Sequence, residues 1–297
     1  MRPLGFNRAP HGPADETPVR LGPQDVSRLS LGWSSSFNAR ELEQHVLTHP
    51  GLSWWLPSGG EYLVGAPWRH RDEITVIQEL SGRLRSEELV AALVAGCREG
   101  GQRLVVMLDQ YEGRRDSFYA RIDFELLQHI IIYELPRLPR AIPAPTRLRF
   151  VPLTPANWDD LLAVDHAAFP WLWWNSQGEF NAYLALFGVE LSVAYEDDGS
   201  PVAYTGITSY RGWGHLDRIA VIPDRQGTGY GLEALNYAVA RLGELGARRI
   251  GLSTQADNIR SQYLYERYGF RRTNGSDYMI YGKWLEESRQ SSVVGRQ

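Results

Sequence analysis

Four prolines within ten residues, Pro136, Pro139, Pro143 and Pro145, divide the 297-residue chain near its middle. Proline lacks an amide hydrogen and fixes φ, so neither a helix nor a central strand can run through this stretch. Residues 136–146 therefore read as a semi-rigid, extended linker. The chain is about twice the length of an ordinary domain. The expected division is 17–135, the linker, and 147–285. Residues 1–16, rich in Pro and Gly, and the polar, aperiodic residues 286–297 are expected to be disordered ends.

Several classes of function are set aside by composition. Hydrophobic residues make up 43% and charged residues 22%, enough apolar side chains for cores of normal size. The net charge of −4, without a basic run, argues against a nucleic-acid partner. No apolar run approaches the ~18 residues that span a bilayer, so no membrane partner is expected. The first residues lack the apolar core of a secretory signal, and a cytoplasmic location is expected. The single cysteine, Cys97, excludes a disulfide framework and a cysteine-rich metal site, and no metal is expected. It lies in an apolar stretch and reads as a buried structural thiol.

Periodicity places a strand at Thr146–Val151 and helices ending near Ala168 and Leu186. Three strands then follow at Glu190–Tyr195, Pro201–Ser209 and His215–Ile222, with Asp197–Ser200 turning the first two into a hairpin. An amphipathic helix from Tyr230 to about Leu245 precedes a strand Arg249–Thr254, a helix Asn258–Tyr268 and a last strand, Asp277–Trp284. The order is mixed α/β. The first half repeats part of it at an offset of 146. Phe118-Tyr119-Ala-Arg121-Ile-Asp-Phe124 matches Leu264-Tyr265-Glu-Arg267-Tyr-Gly-Phe270, Arg103–Leu108 matches Arg249–Thr254, and the helix at Ser86 matches that at Leu232. Three elements in register without a gap indicate a duplicated fold.

Between strand and helix runs Val221-Ile-Pro-Asp-Arg-Gln226-Gly227-Thr228-Gly229-Tyr230-Gly231. Glycines at such a turn let the backbone approach an anion, and the free N–H groups of the first helical turn then face it, aided by the helix dipole. By itself the turn is equally a tight connection. However, Gln226-x-x-Gly229-x-Gly231 resembles the coenzyme pyrophosphate loop of the GCN5-related N-acetyltransferase (GNAT) superfamily. Asn258-Ile-Arg-Ser261-Gln-Tyr-Leu264-Tyr265-Glu-Arg-Tyr268-Gly269-Phe270 resembles the second motif of the same family. The two stand in the family's order, and the likeness covers about 140 residues.

The resemblance implies an α/β fold of the α+β mixed-sheet kind, with two tandem GNAT-like domains. Each would be a splayed, mixed but mainly antiparallel sheet flanked by helices, the first a degenerate copy. It implies acetyl-CoA as cosubstrate. The pantetheine arm would run along Ile219, Ala220 and Val221, the diphosphate would sit on the amides of Gln226, Gly227, Thr228, Gly229, Tyr230 and Gly231, and Asn258, Ser261 and Tyr265 would complete the site. Tyr265 matches the family's general-acid tyrosine, protonated at neutral pH by its ordinary pKa of ~10. A core tyrosine is the alternative, and Tyr119 holds the equivalent place in the first half. Histone-acetylating members carry a glutamate eleven residues before the motif glutamine, where His215 stands here. His215 and Asp217 alternate on one strand and share a face, so either is a candidate base, the alternatives being a hydrogen-bonded structural histidine and a water chain without a dedicated base. In this fold the acceptor pocket is shaped by the loop between the first two helices. Trp171, Trp173, Trp174 and Asn175 are its candidate contacts, through π-faces or as packing.

Under the offset, Gln226, Gly229 and Gly231 become Leu80, Arg83 and Arg85, so the first half lacks the loop and no second coenzyme site is expected. Arg83 and Arg85 are either anion contacts or a solvated helix start. The expected function is acetyl transfer from acetyl-CoA to a primary amine of a small molecule or peptide, by a monomer or homodimer. A non-catalytic acyl-CoA sensor is the alternative.

Overall fold

The computed structural model describes residues 16–58, 60–82, 84–110, 116–274 and 277–285. Arg83, residues 1–15 and the tail 286–297 lie outside them. The first half holds β1 (Val19–Arg20), α1 (Ala39–Thr48), β2 (Trp54–Trp55), β3 (Tyr62–Trp68), β4 (Arg71–Leu80), α2 (Ser86–Glu99), β5 (Leu104–Asp109), α3 (Asp116–Arg121) and β6 (Glu125–Leu135). After the linker come β7 (Arg149–Pro152), α4 (Trp158–Ala168), α5 (Gln177–Leu184), β8 (Val189–Tyr195), β9 (Pro201–Tyr210) and β10 (Trp213–Val221). The chain ends with α6 (Tyr230–Glu244), β11 (Arg249–Gln255), α7 (Ile259–Tyr268), β12 (Arg271–Arg272) and β13 (Tyr278–Trp284). The helix–strand–helix order α2, β5, α3 is also that of α6, β11, α7. Cys97 is buried, and burial pushes its thiol pKa up.

Local chemistry sets the helix ends. Ser176 caps α5 by accepting the Glu179 amide (3.0 Å), and Asn258 caps α7 by accepting that of Ser261 (3.1 Å). Gly269, with φ of 114°, ends α7 in the left-handed region that glycine tolerates best.

The described residues fall into two compact units that do not follow the linker. One unit comprises 16–108, 116–125 and 281–285, the other 109–110, 126–274 and 277–280. In the first unit the strands run β1-β2-β3-β4-β5, with the end of β13 beside β5. There Tyr281 donates to Asp116 (2.6 Å) and the Leu285 amide to the Arg103 carbonyl (2.9 Å). In the second unit the order is β6-β11-β10-β9-β8-β7. Only β10 and β11 are parallel among these, and β6 pairs antiparallel with β11 from Leu135↔Ile250 to Ile130↔Gln255. Each unit is thus completed by a strand from the other half of the chain.

That exchange is built into the second unit's core. Ile131, Tyr133 and Leu135 of β6, each at most 3% exposed, pack with Leu235, Val239 and Leu242 of α6 and with Leu252 and Phe270. Tyr133 also donates to Glu266 of α7 (2.8 Å). Three such side chains contribute about 1.5–3 kcal/mol each, against a whole-domain stability of about 5–15 kcal/mol. Residues 136–285 expressed alone are therefore expected to lack a cooperative thermal transition by circular dichroism. Co-expression with residues 1–135 is expected to restore it.

Candidate functional site

A cavity of about 760 Å³ opens in the second unit. Its floor is the end of β10 (Ile219, Ala220, Val221), and one side is the glycine turn into α6 (Gln226, Gly227, Gly229, Gly231). Asn258, Ser261 and Leu264 of α7 form the other side. A register shift between Leu216 and Arg218 interrupts β10 against β9, directly before this floor.

The turn is shaped for an anion. Gly227 and Gly229 have φ of 78° and 97°, and α6 starts at Gly229 without a side-chain cap. None of the hydrogen bonds among the described residues is donated by the backbone N–H groups of residues 227–231. Those of Tyr230 and Gly231 are orphan donors of a fifteen-residue helix, and the rest belong to the turn at the positive end of its dipole. Arg147 holds the turn from behind: it donates to the Thr228 carbonyl (2.8 Å), is itself held by Glu233 (2.7 Å), and lies 4.7 Å from the Tyr230 ring centroid. A Cβ at Gly229 would stand 2.8 Å from the Arg147 guanidinium. The donor set and the open backbone fit a diphosphate.

Most of the expected coenzyme contacts come together here, and three do not line the cavity. Tyr230 turns its hydroxyl to Glu196 (2.5 Å), and Thr228 donates to the Arg225 carbonyl (2.7 Å), so these two offer only their amides. Tyr265 is buried in the core, 4% exposed, beside Tyr133 and Phe270. Burial pushes its pKa up to about 12, and Ser261, four residues before it on α7, does line the cavity.

His215 and Asp217 are brought together but not to the cavity. The His215 Nδ1 and Asp217 Oδ1 lie 2.8 Å apart, and Asp217 also accepts from Tyr183 (2.5 Å) and Thr208 (2.8 Å). Of the four acceptor-loop residues, only Trp173 lines the cavity. Trp174 stacks on His166 (4.6 Å) and donates its indole N–H to the Phe169 carbonyl (2.7 Å), while the Asn175 amide donates to Asp165 (2.9 Å). The loop is wound as a short turn over Trp171–Trp173.

What holds the loop is an ion pair that sequence reasoning missed. Arg218, at the irregularity of β10, donates to Asp165 of α4, to the Trp173 carbonyl (3.0 Å) and to the Tyr204 hydroxyl (2.8 Å), and its guanidinium lies 3.9 Å from the Phe169 centroid. Tyr204 in turn donates to Asp165 (2.5 Å), which is fully buried. Burial works against the charge of Arg218, but Tyr204 and Asp165 more than offset it and its pKa is raised. Two charged residues in apolar runs, Asp165 after Leu161-Leu-Ala-Val164 and Arg218 before Ile219-Ala-Val221, were the available signal. Gln128 of β6 also lines the cavity, and nothing in the first half marked it. At the equivalent of the loop in that half, Arg85 is tied to Glu88 (2.7 Å).

The parallel pairing of β10 with β11 ends at Leu216, before the cavity floor and the glycine-rich start of α6. Residues 152–270 match the model of the acetyltransferase (GNAT) family, and this part of the chain is a GNAT domain. The fold of the whole chain is shared with solved structures of low identity. A GCN5-related N-acetyltransferase from Sphaerobacter thermophilus is 16% identical over 95% of this chain and 99% of its own, with a TM-score of 0.59. A tandem GNAT protein from the clavulanic acid biosynthesis pathway is 14% identical over 93% and 100%, with a TM-score of 0.51. A probable N-acyltransferase from Enterococcus faecalis is 10% identical over 92% and 73%, with a TM-score of 0.61. No curated protein matches significantly. The GNAT fold supports acyl-CoA-dependent acyl transfer in general.

Two substitutions probe the geometry. Gly229→Arg, which copies the first half's residue, is expected to weaken coenzyme A binding at least about tenfold in calorimetry, because a side chain at φ 97° meets Arg147 and distorts the turn that presents the amides. Arg218→Met leaves Asp165 buried without its cation and is expected to cost about 3–5 kcal/mol in denaturant unfolding.

Proposed function

We propose that this protein transfers an acetyl group from acetyl-CoA to a primary amine of a small molecule or peptide. The observation that carries the reading is the row of uncommitted backbone amides at 227–231, opening onto the cavity beside β10 and Asn258. The diphosphate rests on those amides, and the pantetheine arm follows Ile219–Val221 past Asn258. Acetyl-CoA supplies the activated thioester.

The amine must be neutral to attack, and the thiolate that departs must gain a proton. The new C–N bond forms as the C–S bond breaks. With His215 and Asp217 bonded to each other outside the lining, the amine loses its proton to solvent water. The proton for the leaving sulfur comes from Tyr265, which shares α7 with the lining residue Ser261. A phenol held near pKa 12 stays protonated where an ordinary tyrosine is half ionised, at about pH 10.

One observation favours the second reading, an acyl-CoA-binding module without turnover: Tyr265 is in the core rather than in the lining. Free-thiol release across a panel of amines separates the two. Tyr265→Phe is expected to lower kcat about 100-fold while coenzyme A still raises the melting temperature. An unchanged rate would sink the acid role. The parent's kcat/KM is expected to rise from about pH 8 to pH 10 as more amine becomes neutral, and a fall centred near pH 10 would mean that the acid is not Tyr265.

A further inference from the structure

We propose that the acceptor is a monoamine carried on a flat, apolar body, seated against Phe169 and Trp173; this rests on the transferase reading above. Beyond the glycine turn, α4 and its following loop give the cavity an apolar wall: Ala168, Phe169, Pro170 and Trp173. This wall is built before any ligand arrives. Arg218 stacks on Phe169 at 3.9 Å and binds the Trp173 carbonyl at 3.0 Å, and the Trp174 indole holds the Phe169 carbonyl at 2.7 Å. A rigid aromatic wall binds a planar apolar group without the cost of ordering side chains.

Charge narrows the class further. The ionic side chains of the lining are Asp257, Arg260 and Arg267, a net positive set. The single carboxylate among them, Asp257, precedes Asn258 at the coenzyme end. Two other carboxylates of this unit are already committed. Asp165 accepts from Arg218, Tyr204 and the Asn175 amide. Asp217 accepts from Tyr183 and Thr208 and is bonded to His215. A polyamine or a multiply aminated sugar would bring in several ammonium groups without carboxylates to receive them, at a desolvation cost. An amine that is neutral when it attacks makes no such demand.

The test uses the full chain with acetyl-CoA and three acceptors, 2-phenylethylamine, spermidine and glucosamine, with free-thiol release as the readout. The kcat/KM for phenylethylamine is expected to exceed the other two by about tenfold or more, the scale of burying one ring. Phe169→Ala is expected to raise KM for phenylethylamine about tenfold with KM for acetyl-CoA unchanged, and Phe169→Leu to recover part of the loss. Preference for spermidine or glucosamine overturns the inference and leaves the transferase reading standing. Equal rises in both KM values with Phe169→Ala overturn it as well, since they would mark a purely structural residue. Release with none of the amines, while coenzyme A still raises the melting temperature, overturns the transferase reading and this inference together.

Discussion

The antiparallel ladder between β6 and β11 is the contact on which the second unit rests. It joins residues 130–135 to residues 250–255, and through Ile131, Tyr133 and Leu135 it fills the space beneath α6. The amides that seat a phosphate belong to the first turn of α6, so the position of the anion site depends on that core. β11 leads directly into Asp257, Asn258 and α7, which close the cavity's side. Gln128, at the start of β6, completes the lining. A change in the strand therefore propagates to the site by packing alone.

A second constraint is electrostatic. An arginine and an aspartate enclosed together are weak evidence for stability, since the desolvation of both ions offsets their attraction. Their value here is geometric. Arg218 reaches an aspartate, a phenol, a carbonyl and an aromatic face at once, and these groups come from α4, β9 and the loop that follows α4. One side chain thereby fixes the mutual position of three segments, and the cavity's apolar wall inherits that rigidity. Tyr204 is part of the same cluster, and burial raises its pKa, which keeps it a donor to Asp165.

Much of this architecture could be read from local signals. The glycine turn and the helix periodicities depend on neighbours within a few positions, and both are where the pattern placed them. The free amides of the glycine turn were legible for the same reason, since backbone donors at a helix start are a property of the turn itself. Strand exchange leaves no such local mark: residues 125–135 carry the apolar run Ile130-Ile-Ile-Tyr133, which suits a strand in whichever sheet receives it. The tryptophan loop was legible only in part. Its aromatic content was visible, but which ring faces the cavity is decided by Arg218 and Asp165, 53 positions apart. His215 and Asp217 share a face as alternation requires, yet that face meets Tyr183 and Thr208 rather than the cavity.

The interleaving of the two halves also bears on how the chain is made. On a ribosome β6 emerges early, but its partner β11 follows about 115 residues later. The first unit in turn waits for 281–285, the last described residues. Neither half can finish folding as it leaves the exit tunnel, so β6 spends the interval with an unpaired edge and exposed Ile131 and Leu135. Translation speed through the second half, and chaperone occupancy of that strand, become determinants of yield.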